Sequence, residues 1–155
     1  MVISAFPACG KSFYFKNNGR SLDSDSSNFQ WLQGEDGSRI RNPEFPNNYI
    51  KHIKENMNNN NIDFIFVSSH EEVREAMQKE NIPYVLVYPN SDLLAEWIGR
   101  CYLRGSTIAF IERLRENWDS WVETCHKDEY ADFKVELQSG QYLSEYLDFI
   151  KKGSS

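Results

Sequence analysis

Ala5-Phe6-Pro7-Ala8-Cys9-Gly10-Lys11-Ser12 places a small residue, four intervening positions and then Gly-Lys-Ser directly after a short apolar run. The spacing is that of G-x-x-x-x-G-K-[ST], with Ala5 standing where the pattern opens on glycine. A turn of this kind suits one chemistry: successive backbone N–H groups curl around a polyphosphate, and the helix that follows adds partial positive charge at its start. Gly10 leaves room for the anion where a side chain would crowd it. Lys11 is positioned to bridge the two outer phosphates, and Ser12 to offer its hydroxyl to Mg²⁺. Ala8, Cys9 and Phe13 complete the residues expected around the phosphates. Cys9 sits near a helix start, which can lower a thiol pKa, but its expected role is a small filler.

Leu22-Asp23-Ser24-Asp25 follows about a dozen residues later, at the end of a candidate strand. In a doubly wound sheet the strand C-termini gather at the ligand crevice. Two acids on one side of an extended chain would there face the phosphate loop. Asp23 is expected to hold Mg²⁺ or its waters, and Asp25 to take the proton of an attacking hydroxyl. Phe29 and Trp31 lie in a polar stretch beside this element, where a ring can stack on an acceptor base. His70, after Ser68-Ser69, is a candidate acceptor contact. His52 and His126 read as surface residues, and Trp97, Trp118 and Trp121, at helical spacing, as core.

The elements that must position these residues alternate. Val2–Ala5 reads as a buried strand, followed by a helical stretch over 11–16 and a second strand at Ser21-Leu22-Asp23. Residues 24–42 read as a polar loop anchored by Phe29, Trp31, Leu32 and Ile40. A helix follows Pro46, then apolar strands over 62–67 and 84–88, and a last strand at Phe133–Leu137. Ser69 and Glu72 form a capping-box pattern before the helix that separates the two apolar strands. Further helices carry Leu93 to Tyr102, Ile111 to Cys125 and Leu143 to Ile150, with Gly105-Ser106 interrupting the first two. Unbroken apolar strands alternating with helices imply a parallel sheet covered on both faces.

The loop at 5–12, the Leu22-Asp23-Ser24-Asp25 element and the arginine-bearing helix near residue 100 together resemble the P-loop nucleoside and nucleotide kinases. The Asp-x-Asp is similar to the shikimate kinase pattern. Over nearly the full length, through Arg41-Asn42-Pro43-Glu44-Phe45-Pro46-Asn47-Asn48-Tyr49 and Val67-Ser68-Ser69-His70, the chain resembles small phage-type nucleotide kinases. The resemblance implies an α/β fold: a three-layer α/β/α, doubly wound parallel sheet of about five strands, of P-loop NTPase type. It implies one domain over 1–150, with an acceptor-binding insertion at about 26–57, a short lid at about 98–107 and a tail at 151–155. It implies ATP as donor and Mg²⁺ as cofactor, Arg39 or Arg41 as the clamp on an acceptor phosphate, and Arg100 and Arg104 as lid arginines that neutralise the transferring phosphoryl group. Ser139-Gly140-Gln141 matches the loop that cradles adenine. The chain departs from the pattern where the third strand ends Phe66-Val67-Ser68 rather than in a metal-binding aspartate, which increases the weight on Asp23.

The 155 residues suffice for one domain, and the net charge of −6 does not suit a protein living mainly on nucleic-acid phosphates. No stretch approaches the roughly 20 apolar residues of a membrane span, and no signal-peptide pattern is visible. Three cysteines without metal-type spacing fit reduced thiols in a cytoplasmic protein. The expected function is an ATP-dependent phosphotransferase acting on a nucleoside or nucleotide. A second reading moves the phosphate to another hydroxyl, on a sugar alcohol or on a hydroxymethyl base that could lie within DNA. A third is a non-enzymatic NTP-binding switch or interaction module.

Overall fold

A computed structural model describes residues 1–11 and 20–153. In chain order the described elements are β1 (Val2–Ala5), β2 (Ser21–Asp23), α1 (Ser27–Gln30), β3 (Trp31–Gln33), β4 (Arg39–Arg41), α2 (Asn47–Met57), β5 (Phe64–Ser68), α3 (Glu71–Lys79), β6 (Val85–Pro89), α4 (Leu94–Leu103), α5 (Ile108–His126), β7 (Phe133–Leu137) and α6 (Ser144–Gly153). Strands β1, β5 and β6 are buried at every position, which is why their sequences run apolar without alternation. They form the middle of a five-stranded sheet of order β2-β5-β1-β6-β7, and all of its pairings are parallel.

That order fixes where chemistry can be placed. The chain leaves β1 toward β2 on one side and leaves β6 toward β7 on the other. The direction therefore reverses between β1 and β6, and a crevice opens there at the carboxyl ends of the strands. Loop 6–11 begins in that crevice, tied down by a hydrogen bond from Phe6 N–H to Val87 O of 2.9 Å. Helices α2, α3 and α5 pack in sequence against one another, with α2 also on β5 and α5 on β6. Helix α6 runs along β7, where the rings of Phe149 and Phe133 meet at 5.5 Å. The architecture is α/β and compatible with three layers. The core holds Trp97 and Trp118 beside Ile3, Phe66, Leu86 and Leu114. Truncating either tryptophan to alanine removes packing on the order of 3–5 kcal/mol.

Three local expectations need correction. Residues 24–42 are not simply loop: they contain α1 and a separate antiparallel hairpin, β3–β4, with Leu32 opposite Ile40. Each strand is three residues long and both Leu32 and Ile40 remain exposed, so no buried face imposed a readable alternation. The Ser69…Glu72 capping box does not form. Helix α3 starts at Glu71 after His70, which makes no side-chain cap; instead the His70 N–H donates to Ser68 Oγ at 3.2 Å. The central strands are also shifted, to Phe64–Ser68 and Val85–Pro89. The link between α4 and α5 is short, as expected. Gly105, at φ +82°, closes α4, and Thr107 Oγ1 caps α5 by accepting from Phe110 N–H. No helix among the described residues is long and apolar enough to cross a membrane.

Candidate functional site

Loop 6–11 is held in shape from beneath and from the side. Ala8 and Gly10 both adopt positive φ, 63° and 99°, the left-handed backbone from which anion-binding concavities are built. Trp97 Nε1–H donates to Pro7 O at 2.8 Å, and Leu143 N–H donates to Cys9 O at 2.9 Å. Cys9 is fully buried, and burial pushes its thiol up to about 12. It is therefore a packing residue, not an activated thiol. A Cβ on Gly10 would lie 3.0 Å from Cδ1 of Tyr142, so Tyr142 stands over this turn. Replacing Gly10 by alanine is expected to strain the left-handed backbone, displace Tyr142 and lower stability by about 1–2 kcal/mol. A thermal melt of the variant, read alongside a nucleotide-binding titration, checks both effects.

Arg100 occupies a position that its sequence role did not anticipate. Its guanidinium lies between two rings, 3.9 Å from the centroid of Trp97 and 4.0 Å from that of Tyr142. It donates to Ala8 O at 3.2 Å, to Gln141 O at 2.7 Å and to Glu96 Oε2 at 3.1 Å. Glu96 in turn accepts from Ser139 Oγ–H and Gly140 N–H. Those hydrogen bonds, with Arg100 alongside, hold its carboxyl below the usual range. Arg100 thus joins loop 6–11 to loop 139–141 as a positioning residue. Arg104, one turn on, is exposed and donates through Nε to Ser106 Oγ at 2.8 Å. Ala8, Gly10, Lys11, Arg100, Arg104 and Tyr142 line a cavity of about 280 Å³. Its cationic rim suits an anion.

The two aspartates sit at the end of β2, separated from β1 by β5. Two strand spacings put roughly 9–10 Å between the backbones, enough for a small molecule between acid and loop. Tyr49 fixes this edge: its hydroxyl donates to Ser24 O and accepts from Ser68 N–H at 3.3 Å, joining β2 to β5. His52 Nε2 lies 2.8 Å from Ser24 Oγ, and its ring packs on Phe29 at 4.8 Å. The expected surface histidine is therefore half-buried and braces the residue between the acids. Phe29 packs on Tyr49 at 5.1 Å as well, so its ring supports α2. Asp23 closes the strand, whereas Asp25 is exposed and lies in the turn into α1. Its Oδ1 accepts from Ser27 N–H at 2.9 Å.

His70 follows β5 and lines a different cavity from Tyr142. Its ring meets Trp121 edge-on at 5.3 Å. Desolvation there, followed by the nearby cations Arg113, Lys11 and Arg74, lowers its pKa, so it is neutral at pH 7 and can both donate and accept. With Phe6, Ser69, Glu72, Ser120 and Trp121 it lines a cavity of about 260 Å³. Trp121, expected in the core, is only half-buried and forms a wall of this space.

Arg74 ties the end of β5 to α5 next to that cavity. It is buried, donates through Nε to Ser69 O at 2.8 Å, and reaches across to Asp128 Oδ2 at 2.8 Å and Thr124 Oγ1 at 2.8 Å on α5 and its end. Burial raises the Asp128 pKa. Hydrogen bonds from Tyr84, Ala131 and Arg74 outweigh that and hold it below the usual value. A depressed carboxylate contributes stability above its unfolded pKa of about 3.9 and loses it as pH falls through the folded value. Asp128→Ala is expected to destabilise by about 3–5 kcal/mol, since it leaves Arg74 buried without its counter-charge. Urea unfolding at pH 7 checks this, and the gap between the two proteins should shrink toward pH 3.

The remaining expected residues are dispersed. Trp31 lies under Arg39 at 6.0 Å on the hairpin. Arg41 donates to both Glu72 oxygens, at 2.7 Å to Oε1. Gly140 spends its N–H on Glu96, and the wall next to the loop is Tyr142 instead. Ser12, Phe13 and the helix expected over 11–16 beyond Lys11 lie outside the described residues. Among the described residues no group of three or more His, Cys, Asp or Glu could hold a metal ion. A Mg²⁺ ion carried by a nucleotide needs only one or two protein carboxylates. A larger cavity of about 510 Å³ at the amino ends of the strands is walled by Met1, Val2, Met57, Phe133 and Phe149, and offers little to a phosphate. Of the positioning residues, Glu96 and Arg100 at i,i+4 were readable from spacing, while Tyr142 and Arg74 carried no local signal. No protein-family model matches the chain, and no curated protein matches it.

Proposed function

We propose that the chain is an ATP-dependent phosphotransferase of P-loop type, transferring the γ-phosphate to a small nucleoside-like or nucleotide-like acceptor. The observation that carries this reading is the turn at 6–11: Ala8 and Gly10 at positive φ, immediately before Lys11, at the switch point of a parallel sheet. Its geometry fits a polyphosphate. The amides form the cradle, Lys11 supplies the charge over the outer phosphates, and the 280 Å³ cavity beside it leaves room for a base against Tyr142. Ser12 and Asp23 would hold Mg²⁺, which neutralises the β- and γ-oxygens when bound. Arg104, the exposed member of the arginine pair, faces the same space, while Arg100 keeps the loop in register. Asp25 accepts the acceptor's proton from across the gap above β5. Catalysis on this scheme is positioning plus charge neutralisation.

Ligand linkage tests the donor half. Mg·ATP at about 100 times its Kd should stabilise the fold by about 2.7 kcal/mol, visible as a rise in Tm. No shift with any nucleoside triphosphate at millimolar concentration would contradict the reading.

A further inference from the structure

We infer that the acceptor is a small uncharged hydroxyl compound, such as a nucleoside or polyol, and that it binds in the cavity between α3 and α5 rather than in a phosphate clamp. The inference rests on the phosphotransferase reading and chooses between its acceptors. The cavity abuts Phe6 and Pro7 at the start of loop 6–11, while the cationic cavity abuts Ala8, Gly10 and Lys11 at its end. Lys11 lines the second and acts electrostatically on His70 in the first, and the two spaces differ in character. One is rimmed by Arg100 and Arg104. The other presents Glu72, hydroxyls of Ser69 and Ser120, neutral His70, and the flat wall of Trp121.

A phosphorylated acceptor would find no arginine or lysine among the described residues that line this cavity. Arg41 already meets both oxygens of Glu72, Arg39 lies over Trp31, and Arg74 is neutralised by Asp128. Arg113 bears on His70 electrostatically but lies over the ring of Phe110 and does not line the cavity. The Arg41–Glu72 pair is half exposed and weak enough to open. A phosphate that displaced Glu72 would nevertheless lie beside the carboxylate it had displaced, and like charges so placed are strongly disfavoured. A neutral acceptor incurs no such repulsion. It can use the carboxylate, the hydroxyls and His70 as hydrogen-bond partners and Trp121 as a surface for a ring. The volume of about 260 Å³ is below the roughly 300–1,000 Å³ of drug-sized sites, which suits a monomeric acceptor and not a base held in DNA.

The step balances without further reagents. The acceptor oxygen forms a bond to the γ-phosphorus of ATP. The bond from that phosphorus to the β,γ-bridging oxygen breaks, and ADP leaves with its electron pair. The acceptor's proton passes to the Asp25 carboxylate through water, since Asp25 follows β2 and does not itself line the cavity.

The test is a matched acceptor panel with γ-labelled ATP and Mg²⁺: nucleosides and polyols in one arm, nucleoside 5′-monophosphates and sugar phosphates in the other, water alone in a third. The expected result is label on a neutral acceptor, with kcat/KM at least 100-fold above that of its phosphorylated counterpart. Preference for the phosphorylated arm overturns the inference and leaves the phosphotransferase reading standing. ATP binding with release of phosphate to water alone, both acceptor arms inert, overturns it too. Absence of ATP binding in every arm overturns the parent reading with it. Glu72→Gln, an exposed change that the fold tolerates, should free Arg41 and narrow the preference about tenfold. An unchanged preference would refute the part assigned to Glu72.

Discussion

Replacing Lys11 by alanine is expected to lower kcat by on the order of 10²–10³-fold, the loss typical of removing one preorganised group from a developing charge. Lys11 lines the 280 Å³ cavity and lies close enough to His70 and Cys9 to act on both electrostatically. It is the one ammonium that follows directly on the turn made by Ala8 and Gly10. The amides of the loop remain in the variant, and so does the packing of Cys9 and Trp97 beneath it. ATP binding should therefore weaken less than turnover does. Steady-state kinetics with a parallel binding titration separates the two. Near-normal kcat would remove Lys11 from the chemical step.

Asp25→Asn is expected to lower kcat by on the order of 10²–10⁴-fold, the usual contribution of a positioned general base. ATP affinity should stay within about threefold, because a base acts in the transition state and not in donor binding. The local geometry makes this substitution a clean one. Asp25 Oδ1 accepts from Ser27 N–H at the start of α1, and the amide oxygen of asparagine can accept the same bond. The turn is kept while the proton acceptor is lost. Asp25→Ala, by contrast, also removes the turn's hydrogen bond, at a cost of about 1 kcal/mol. If asparagine and wild type turn over alike while alanine is impaired, Asp25 serves the fold and another group takes the proton.

The fold was largely legible because its signals are local and periodic. Val2–Ala5, Phe64–Ser68 and Val85–Pro89 are fully buried, so they run almost wholly apolar, with only the small Ser4 and Ser68 as exceptions, and helices fall between them. The hairpin was not legible because Leu32 and Ile40 face outward, which leaves composition as the only cue. At the site, a turn directly after β1 was legible since glycine at the end of an apolar run marks one. The roles of Arg100 and His52 were not. Both are decided by partners distant in sequence: Ala8 and Gln141 for one, Ser24 and Phe29 for the other. Spacing along a helix says which face a residue shares, not what lies opposite that face. Arg74 shows the same limit. An arginine in a helical stretch reads as surface, yet this one is buried because Asp128, Thr124 and the Ser69 carbonyl converge on it.

Arg100 and Tyr142 also bear on how the site responds to a ligand. The guanidinium sits between Trp97 and Tyr142 and holds the carbonyls of Ala8 and Gln141. The walls on both sides of the turn are thereby fixed before any anion arrives. Preorganisation of this sort lets charge stabilisation act without rearrangement at the moment of transfer. The short link between α4 and α5, residues 104–107, leaves Arg104 as the group with room to move toward the phosphates.

The central claim is that the amides of residues 8–11 enclose a nucleotide's phosphates. A crystal structure of the full chain with Mg·ADP tests it most directly. The account predicts the β-phosphate within hydrogen-bond distance of those amides and of Lys11 Nζ, with the base beside Tyr142. ADP bound elsewhere on the protein, or an empty turn at saturating ADP, would contradict it.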